Sequence, residues 1–364
     1  MVVVEEEMVV VLMVNVNIKH TGVEISTPVY FELLKKNIPM KTDKIISDAT
    51  NNKIFRLTIF ITENCNFNCI YCYEEHKKEK INRIKLNAIK ILLSNRVKSL
   101  SRLEIDFFGG EPLLCNKEIL ELCSFICDLQ KDYDFKFFGS MTTNAYLLKK
   151  EVIKELISNG VKSYQITLDG DMTMHNKTRI LKNGKGTFQH IWNNLLELKK
   201  VNLSFNVILR IHLSCKNLKS VEVLIDKINS ELLDDRRFKV FFKPIAKLGS
   251  QNDKSLEVIE FNRQEEVINK LAKKLKVPKQ EFRFSDDYVC YASKLNSLCI
   301  RADGEIVKCT VALKEDYNKV GKLNNDGTID LSRNKFLKWS NGLQSMNKNE
   351  LMCPKKYLFD HNSN

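Results

Sequence analysis

The chain has no uninterrupted apolar run approaching the ~18 residues of a membrane-spanning helix. It also lacks a recognisable export signal. Met1–Val16 is rich in valine, but Glu5, Glu6 and Glu7 stand where a basic segment belongs, and no small-residue cleavage site follows. A cytoplasmic location is therefore expected, and the alternating valines read better as a strand. There is no internal repeat and no low-complexity linker. These absences exclude membrane spans, solenoids and fibrous arrays, and leave a globular protein.

Of 364 residues, 43% are hydrophobic and 28% charged. That allows a catalytic domain of about 200–250 residues with smaller appendages. The formal charge is +13. Much of the excess lies in scattered pairs (Lys77–Lys78, Lys149–Lys150, Lys199–Lys200, Lys273–Lys274), which read as solvated helix faces. This pattern argues against a nucleic-acid surface and suits an acidic partner only weakly. Eleven cysteines are many for a chain without an export signal, and point to metal or catalytic use before disulfides. Three fall between 65 and 72 and four between 290 and 353. Cys115, Cys123, Cys127 and Cys215 are scattered and read as core or near-core thiols.

Residues 1–52 read as a strand-rich extension with a helical stretch around Tyr30–Lys36. Over 53–275, six strand–helix units follow. The strands are expected at Ile54–Thr62, Leu103–Phe108, Phe135–Thr142, Ser163–Leu168, Ser204–Leu213 and Lys239–Lys243. The helices are expected at Lys85–Leu100, Lys117–Gln130, Lys149–Asn159 (closed by Gly160), Thr187–Lys200, Leu218–Ile228 and Phe261–Leu275. Short apolar strands alternating with helices predict an α/β fold with a parallel sheet wound by right-handed crossovers, in which functional groups cluster at the C-terminal strand ends. Residues 276–364 lose that alternation and read as a cysteine-bearing module.

The loop after the first strand runs Thr62-Glu63-Asn64-Cys65-Asn66-Phe67-Asn68-Cys69-Ile70-Tyr71-Cys72. Thiolates at this density select iron–sulfur or zinc. A structural zinc would need a fourth ligand, and His76 is the nearest. Three thiolates on a cubane leave one iron open. Phe107-Phe108-Gly109-Gly110-Glu111-Pro112 follows the second strand; Thr142-Thr143-Asn144 ends the third, and Gln165-Ile166-Thr167-Leu168-Asp169-Gly170 the fourth.

The C-x3-C-x2-C run with Tyr71 before its last cysteine resembles the radical S-adenosylmethionine superfamily. The resemblance implies a partial (β/α)6 TIM-like barrel. It implies a 4Fe–4S cluster on Cys65, Cys69 and Cys72 whose open iron binds S-adenosylmethionine, which is then cleaved to a 5′-deoxyadenosyl radical. Gly109, Gly110 and Glu111 resemble the family's GGE motif, which binds the methionine amino group. Thr142, Thr143 and Asn144 correspond to a ribose-binding segment, with Ala145 in place of the usual glycine. Gln165 and Asp169 lie in a segment like the Ser-Leu-Asp-Gly of peptide-modifying members. His175-Asn176-Lys177-Thr178-Arg179 and Gly184-Lys185-Gly186-Thr187-Phe188 continue in that style. Arg210 is a candidate for the methionine carboxylate, with a structural salt bridge as the alternative.

Near the C-terminus, Cys290, Cys299 and Cys309 bracket a hairpin signal at Asp303-Gly304, and Cys353 follows late. Gly304-x4-Cys309 resembles the SPASM extension or its shorter twitch form. The dense C-x2-C-x5-C run of a full SPASM module is missing. One auxiliary 4Fe–4S cluster is therefore expected, on Cys290, Cys299, Cys309 and Cys353, with zinc as the alternative. Relatives with such extensions mostly modify ribosomally made peptides. The resemblance implies a leader-bearing precursor peptide as substrate, a crosslink (thioether or carbon–carbon) or related modification as product, and a reducing flavodoxin or ferredoxin as partner. Thr310 after Cys309, where sulfatase maturases carry Asp, argues against that activity. The other readings are a small-molecule dehydrogenase of the aminosugar type, a cluster-based redox sensor and a nucleic-acid binder. Cys215, after the fifth strand, is a candidate hydrogen-atom donor.

Overall fold

The computed structural model describes residues 18–20, 23–25, 46–76, 79–248, 253–276 and 288–358. The strand expected over Met1–Val16 and the helix around Tyr30–Lys36 lie outside the described residues. A short antiparallel hairpin pairs Ile18–His20 with Val23–Ile25.

Six parallel strands carry the fold: β1 (Ile54–Thr62), β2 (Arg102–Gly109), β3 (Lys136–Thr143), β4 (Val161–Leu168), β5 (Asn206–Leu213) and β6 (Phe238–Pro244). Each pairs with the next in chain order. The connecting helices are α1 (Arg83–Val97), α2 (Asn116–Asp132), α3 (Lys150–Ser158), α4 (Met172–Thr178), α5 (Phe188–Lys199) and α6 (Leu218–Glu231); α7 (Phe261–Ala272) follows β6. All six expected strands and six expected helices are present, with shifted ends. The short helix α4 was not expected; it starts where Asp171 caps Met174 N–H at 2.9 Å. The helix ending before Gly160 does close there, with Gly160 at φ +88°.

Alternation along the strands divides the sheet into two faces. On β2 and β5, Leu103, Ile105, Phe107, Val207, Leu209 and Ile211 are buried. The opposite positions carry polar groups, and register sets these side by side: Thr142 beside Gln165, Thr167 beside Arg210, and His212 beside Lys243. This polar face explains why the strands alternate and do not read as continuous apolar runs. Trp192 and Trp339 are both core residues.

The C-terminal module does not form a sheet of its own. Strand β7 (Ser297–Ile300) pairs in parallel with β1, from Arg56 opposite Ser297 to Ile59 opposite Ile300. The expected hairpin then turns at Gly304 (φ +90°) into β8 (Glu305–Val307), followed by antiparallel β9 (Lys319–Leu323) and β10 (Ile329–Leu331). The described sheet is ten-stranded, in the order β10-β9-β8-β7-β1-β2-β3-β4-β5-β6. Strand β1 is deeply enclosed: Leu57, Ile59, Phe60 and Ile61 are all buried, each worth about 1.5–3 kcal/mol. Arg56 ties the joint together through Glu104 on β2, Asp48 before the barrel and Asn296 just before β7. No helix among the described residues is long and apolar enough to cross a membrane.

A chain ending at residue 287 would strip β7 from β1 and leave a long apolar edge unpaired. It is expected to aggregate or to unfold at clearly lower urea than the full chain. Size-exclusion chromatography with urea titration checks this; a monomer with the full-length midpoint would contradict it.

Candidate active site

The loop leaving β1 has no regular structure and is held by its neighbours. Backbone bonds lay it along the segment after α4: Asn68 N–H to Ile180 O (2.8 Å), Ile70 N–H to Thr178 O (3.1 Å) and Lys182 N–H to Asn66 O (3.0 Å). From below, Gly110 N–H donates to Thr62 O and Glu111 N–H to Asn64 O. This approach requires glycine. A Cβ on Gly109 would stand 2.0 Å from Thr62 O, and one on Gly110 2.3 Å from Asn64 O.

Cys65, Cys69 and Cys72 lie close enough for Cys65 to feel the charge of the other two. Cys65 Sγ accepts from Phe67 N–H (3.4 Å), and Cys72 N–H donates to Cys69 O (3.1 Å). Burial pushes all three thiols up, Cys72 to about 12. The Arg179 guanidinium pulls Cys69 and Cys72 the other way. His76 Nε2 is 3.1 Å from Cys72 Sγ.

Tyr71 is the loop's deepest anchor. Its hydroxyl donates to Asp169 Oδ1 (2.9 Å) and accepts from Arg179 Nη1 (2.8 Å). Asp169 also accepts from Thr178 Oγ1 (2.6 Å), and its Oδ1 lies 3.5 Å from His212 Nδ1. Burial alone would raise Asp169, but the His212 contact and the Arg179 charge outweigh it and hold the carboxyl well below the usual range. Burial pushes His212 down to about 4, so the lasting counter-charge is Arg179.

Glu111 is fully buried and serves the framework. It accepts from Leu113 N–H (3.1 Å), Thr143 Oγ1 (2.7 Å) and Asn144 N–H (2.7 Å). Asn144 in turn donates to Asn66 Oδ1 (2.8 Å), beside Cys65. The side chains of Glu111, Thr143 and Asn144 thus join the ends of β2 and β3 to the cysteine loop. Thr142 accepts from Gln165 Nε2 at 3.4 Å on the polar face. Arg210 occupies that same face, and its buried Nε has no hydrogen-bond partner.

The C-terminal cysteines come from four separate stretches of chain. Cys290 feels Cys309 and Cys353, Cys309 feels Cys353, and Cys299 feels Cys309, so all four share one locality. Cys299 sits on β7 among Phe60 and Val307, and its thiol donates to Lys308 O (3.6 Å). Asn318, fully buried, fixes the Cys309 turn: Oδ1 accepts from the N–H groups of Lys308 and Cys309, and Nδ2 donates to Cys309 O (2.8 Å). Burial drives the Lys308 amine down to about 7, with Cys299 and Cys290 pulling it up.

The two cysteine sites are joined. Glu63, two residues before Cys65, makes a two-pronged pair with Arg301, two residues after Cys299, at 2.8 Å on both prongs. Arg301 also holds Glu305 at 2.8 Å. Above this pair lies a cavity of about 310 Å³, lined by Tyr73, Glu74 and His76 from the first loop and by Arg301, Leu313 and Lys319 from the C-terminal part. Tyr73 feels both Cys72 and Cys309, which puts it between the two sites. Burial and the Glu63 charge raise Glu74 to about 8.

Among the described residues no three His, Cys, Asp or Glu side chains converge as ligands of a single ion. Thiolates on a cubane each bind a different iron and stand farther apart than ligands of one zinc. Three thiols on one loop, with a guanidinium beside them, fit that larger group. Of the scattered cysteines, Cys115 and Cys123 are core residues as expected. Cys215 is not: it is exposed, with its thiol donating to Val258 O at 3.3 Å, because the chain turns outward after β5. Sequence reading passed over Arg179, Asn66, Glu63 and Arg301 as site residues. Their roles depend on contacts between distant segments, and only the His175–Arg179 motif gave any signal.

Gly110→Ala is expected to displace the cysteine loop while leaving the barrel folded. Iron bound at the first site after anaerobic reconstitution should fall at least several-fold, with far-UV circular dichroism unchanged. Wild-type iron content in the variant would refute the role given to the close approach.

Residues 59–228 match the Radical SAM superfamily. "Uncharacterized protein MJ0907" of Methanocaldococcus jannaschii is 27% identical over 282 residues, covering 76% of this chain and 91% of that protein. The GTP 3',8-cyclase of Aliarcobacter butzleri is 29% identical over 181 residues, 49% of this chain and about half (51%) of that enzyme's length. Among solved structures, anSMEcpe with bound AdoMet and Cp18Cys peptide shares the fold at 17% identity and TM-score 0.55, over 80% of this chain and 82% of that one. Streptococcus suis SuiB bound to precursor peptide SuiA does so at 15% identity and TM-score 0.54, over 87% and 76%. The three cysteines and the Gly-Gly-Glu loop lie inside the matched segment, so the match to the Radical SAM superfamily covers both halves of the candidate site on residues 59–228.

Proposed function

We propose that the protein is a radical S-adenosylmethionine enzyme that abstracts hydrogen from a ribosomally made peptide and so installs a crosslink or related modification. The observation that carries this reading is the pair of cysteine sites clamped together by Glu63 and Arg301 across one cavity. A 4Fe–4S cluster on Cys65, Cys69 and Cys72, with S-adenosylmethionine bound, supplies a 5′-deoxyadenosyl radical by one-electron cleavage. The chain's own residues hold and orient that pair. Tyr71, anchored on Asp169 and Arg179, fixes the loop. The backbone carbonyls around Gly109 and Gly110 are the acceptors for the methionine ammonium, because the Glu111 side chain is already engaged. Thr142 and Gln165 face the ribose, and Arg210, with its free buried Nε, the carboxylate.

A single auxiliary cluster would be held by Cys290, Cys299, Cys309 and Cys353, a reading supported by the proximity of Cys309 to each of the other three. The peptide substrate draws support from the two fold neighbours above, each solved with a peptide bound. The electron comes from a small reducing protein such as a flavodoxin or ferredoxin. A second reading, a GTP-cyclising enzyme, is favoured by one observation: several curated relatives at 26–29% identity bear the name GTP 3',8-cyclase.

Anaerobic reconstitution should load about eight irons per chain, two cubanes. With S-adenosylmethionine and dithionite the wild type should release 5′-deoxyadenosine, and the Cys65→Ala/Cys69→Ala/Cys72→Ala variant none. Absence of 5′-deoxyadenosine from the loaded wild type would sink the enzyme reading; about four irons would leave the auxiliary cluster unsupported.

Substrate class is decided by a paired incubation. A short peptide encoded beside this chain should lose the mass of two hydrogens for each crosslink, whereas GTP should be recovered unchanged. Conversion of GTP with an unaltered peptide would reverse the choice.

A further inference from the structure

His190 is exposed, yet its imidazole lies stacked on the Tyr146 ring, with centroids 4.1 Å apart and planes 26° from parallel. Tyr146 meets the Phe67 ring edge-on, 5.8 Å between centroids. Phe67 is fully buried, lies between Cys65 and Cys69 in the chain, and donates its N–H to Cys65 Sγ at 3.4 Å. Three rings in contact thus run from the surface to the cysteine loop. The run is fixed along its length. His190 Nε2 donates to Tyr146 O (2.9 Å) and Asn194 Nδ2 to Ala145 O (2.8 Å), while the Arg179 guanidinium covers Phe67 at 5.6 Å. Ring contacts of this geometry are ordinary packing inside a core. This one ends in a histidine open to solvent.

The charge around that outer end has one sign. Residues 135–150 and 172–190, which supply Tyr146 and His190, contain no acidic side chain. Lys149, Lys182 and Lys185 are exposed on them. Backbone bonds place two of these lysines against the cysteine loop: Lys182 N–H donates to Asn66 O and Leu181 N–H to Lys185 O, both at 3.0 Å. The cavity is the other opening toward the first site, and it is lined by both signs, Glu63, Glu74 and Glu75 against Arg301, Lys314 and Lys319. It offers an acidic protein no net attraction, whereas the ring side does.

We propose that this face is the docking site of a small, acidic one-electron carrier protein, and that the His190–Tyr146–Phe67 rings lead its electron to the first cluster. The proposal rests on the cluster read above on Cys65, Cys69 and Cys72. The step moves one electron: the reduced carrier loses it, the oxidised cluster gains it, and no bond forms or breaks. The rings are not themselves reduced. Electron transfer weakens steeply across gaps, and rings in contact leave none between His190 and Phe67. A brace that merely packs Phe67 in place is the competing, structural role.

The test follows reduction of the anaerobically loaded full chain by rapid-freeze electron paramagnetic resonance, counting only the signal absent from the Cys65→Ala/Cys69→Ala/Cys72→Ala variant. Reduced flavodoxin and reduced ferredoxin serve as acidic carriers, and photoreduced deazaflavin as a small neutral reductant. Lys149→Glu/Lys185→Glu is expected to weaken carrier binding at least ten-fold by calorimetry, and added salt should weaken the wild type in the same direction. Tyr146→Leu and His190→Ala are expected to slow reduction at saturating carrier several-fold, with the deazaflavin rate as in the wild type. Wild-type affinity in the lysine variant would overturn the docking face, and wild-type carrier rates in the ring variants the electron route. Equal slowing with deazaflavin would make the rings a brace and overturn that route too. If Tyr146→Leu fails to load iron, His190→Ala alone decides. A loaded wild type that neither carrier binds would overturn the whole proposal. Normal carrier-driven reduction without 5′-deoxyadenosine would support the docking face while sinking the enzyme reading.

Discussion

Gly110 lies so close to the carbonyl of Asn64 that no side chain fits between them, and the position of the cysteine loop follows from that contact. The loop has neither helix nor strand to hold its shape. It is pressed from below by the Gly109–Gly110 turn, paired from the side by residues 178–182, and anchored at Tyr71. The first restraint comes from the end of β2, and the other two from the stretch that follows β4, at Asp169 and residues 178–182. The barrel's contribution to the chemistry is therefore convergence: it delivers short, otherwise structureless segments to one place with little freedom left.

Charge is buried around this loop with unusual concentration. Asp169 and Arg179, bridged by the Tyr71 hydroxyl, and the direct pair of Glu63 with Arg301 put two carboxylates and two guanidinium groups beside the cysteine loop. Such pairs add little net stability over a well-packed apolar core, because desolvation consumes most of their attraction. Breaking one is another matter, since the abandoned charge stays buried. Their value here is registration. Glu63 and Arg301 join segments 238 residues apart, while Asp169 and Arg179 meet at the Tyr71 hydroxyl of the cysteine loop, and a slip of one residue would leave a charge without its partner. The first site is thereby referenced to the C-terminal hairpin as well as to its own barrel.

Much of this architecture was legible in the sequence. Strand alternation and helix periodicity located the six strand–helix units, because β2, β3, β5 and β6 bury mainly one face. The cysteine spacing and the Gly-Gly-Glu turn were readable because their chemistry is local. What stayed hidden was every feature made by distant partners. The apolar stretch Ser297–Ile300 reads as one arm of a hairpin, and nothing in it announces a parallel pairing with β1. Glu111 reads as a ligand for an ammonium group because a carboxylate beside two glycines looks exposed, whereas Thr143 and Asn144 enclose it. Cys215 reads as core because it follows an apolar strand, yet the chain has already turned outward. Lys308 looks like one more lysine among 58 basic residues until its burial is known.

The sheet is not closed into a ring. Strand β1 has β2 on one side and β7 on the other, so it cannot also bond β6, and β6 has no strand on its outer edge among the described residues. A closed barrel admits a guest only through its mouths, which for a chain-like guest means entering end first. An open one has a side door. The polar face of β3 to β5 can receive the middle of a long guest laid in broadside, and can release it the same way, without a free end ever passing through.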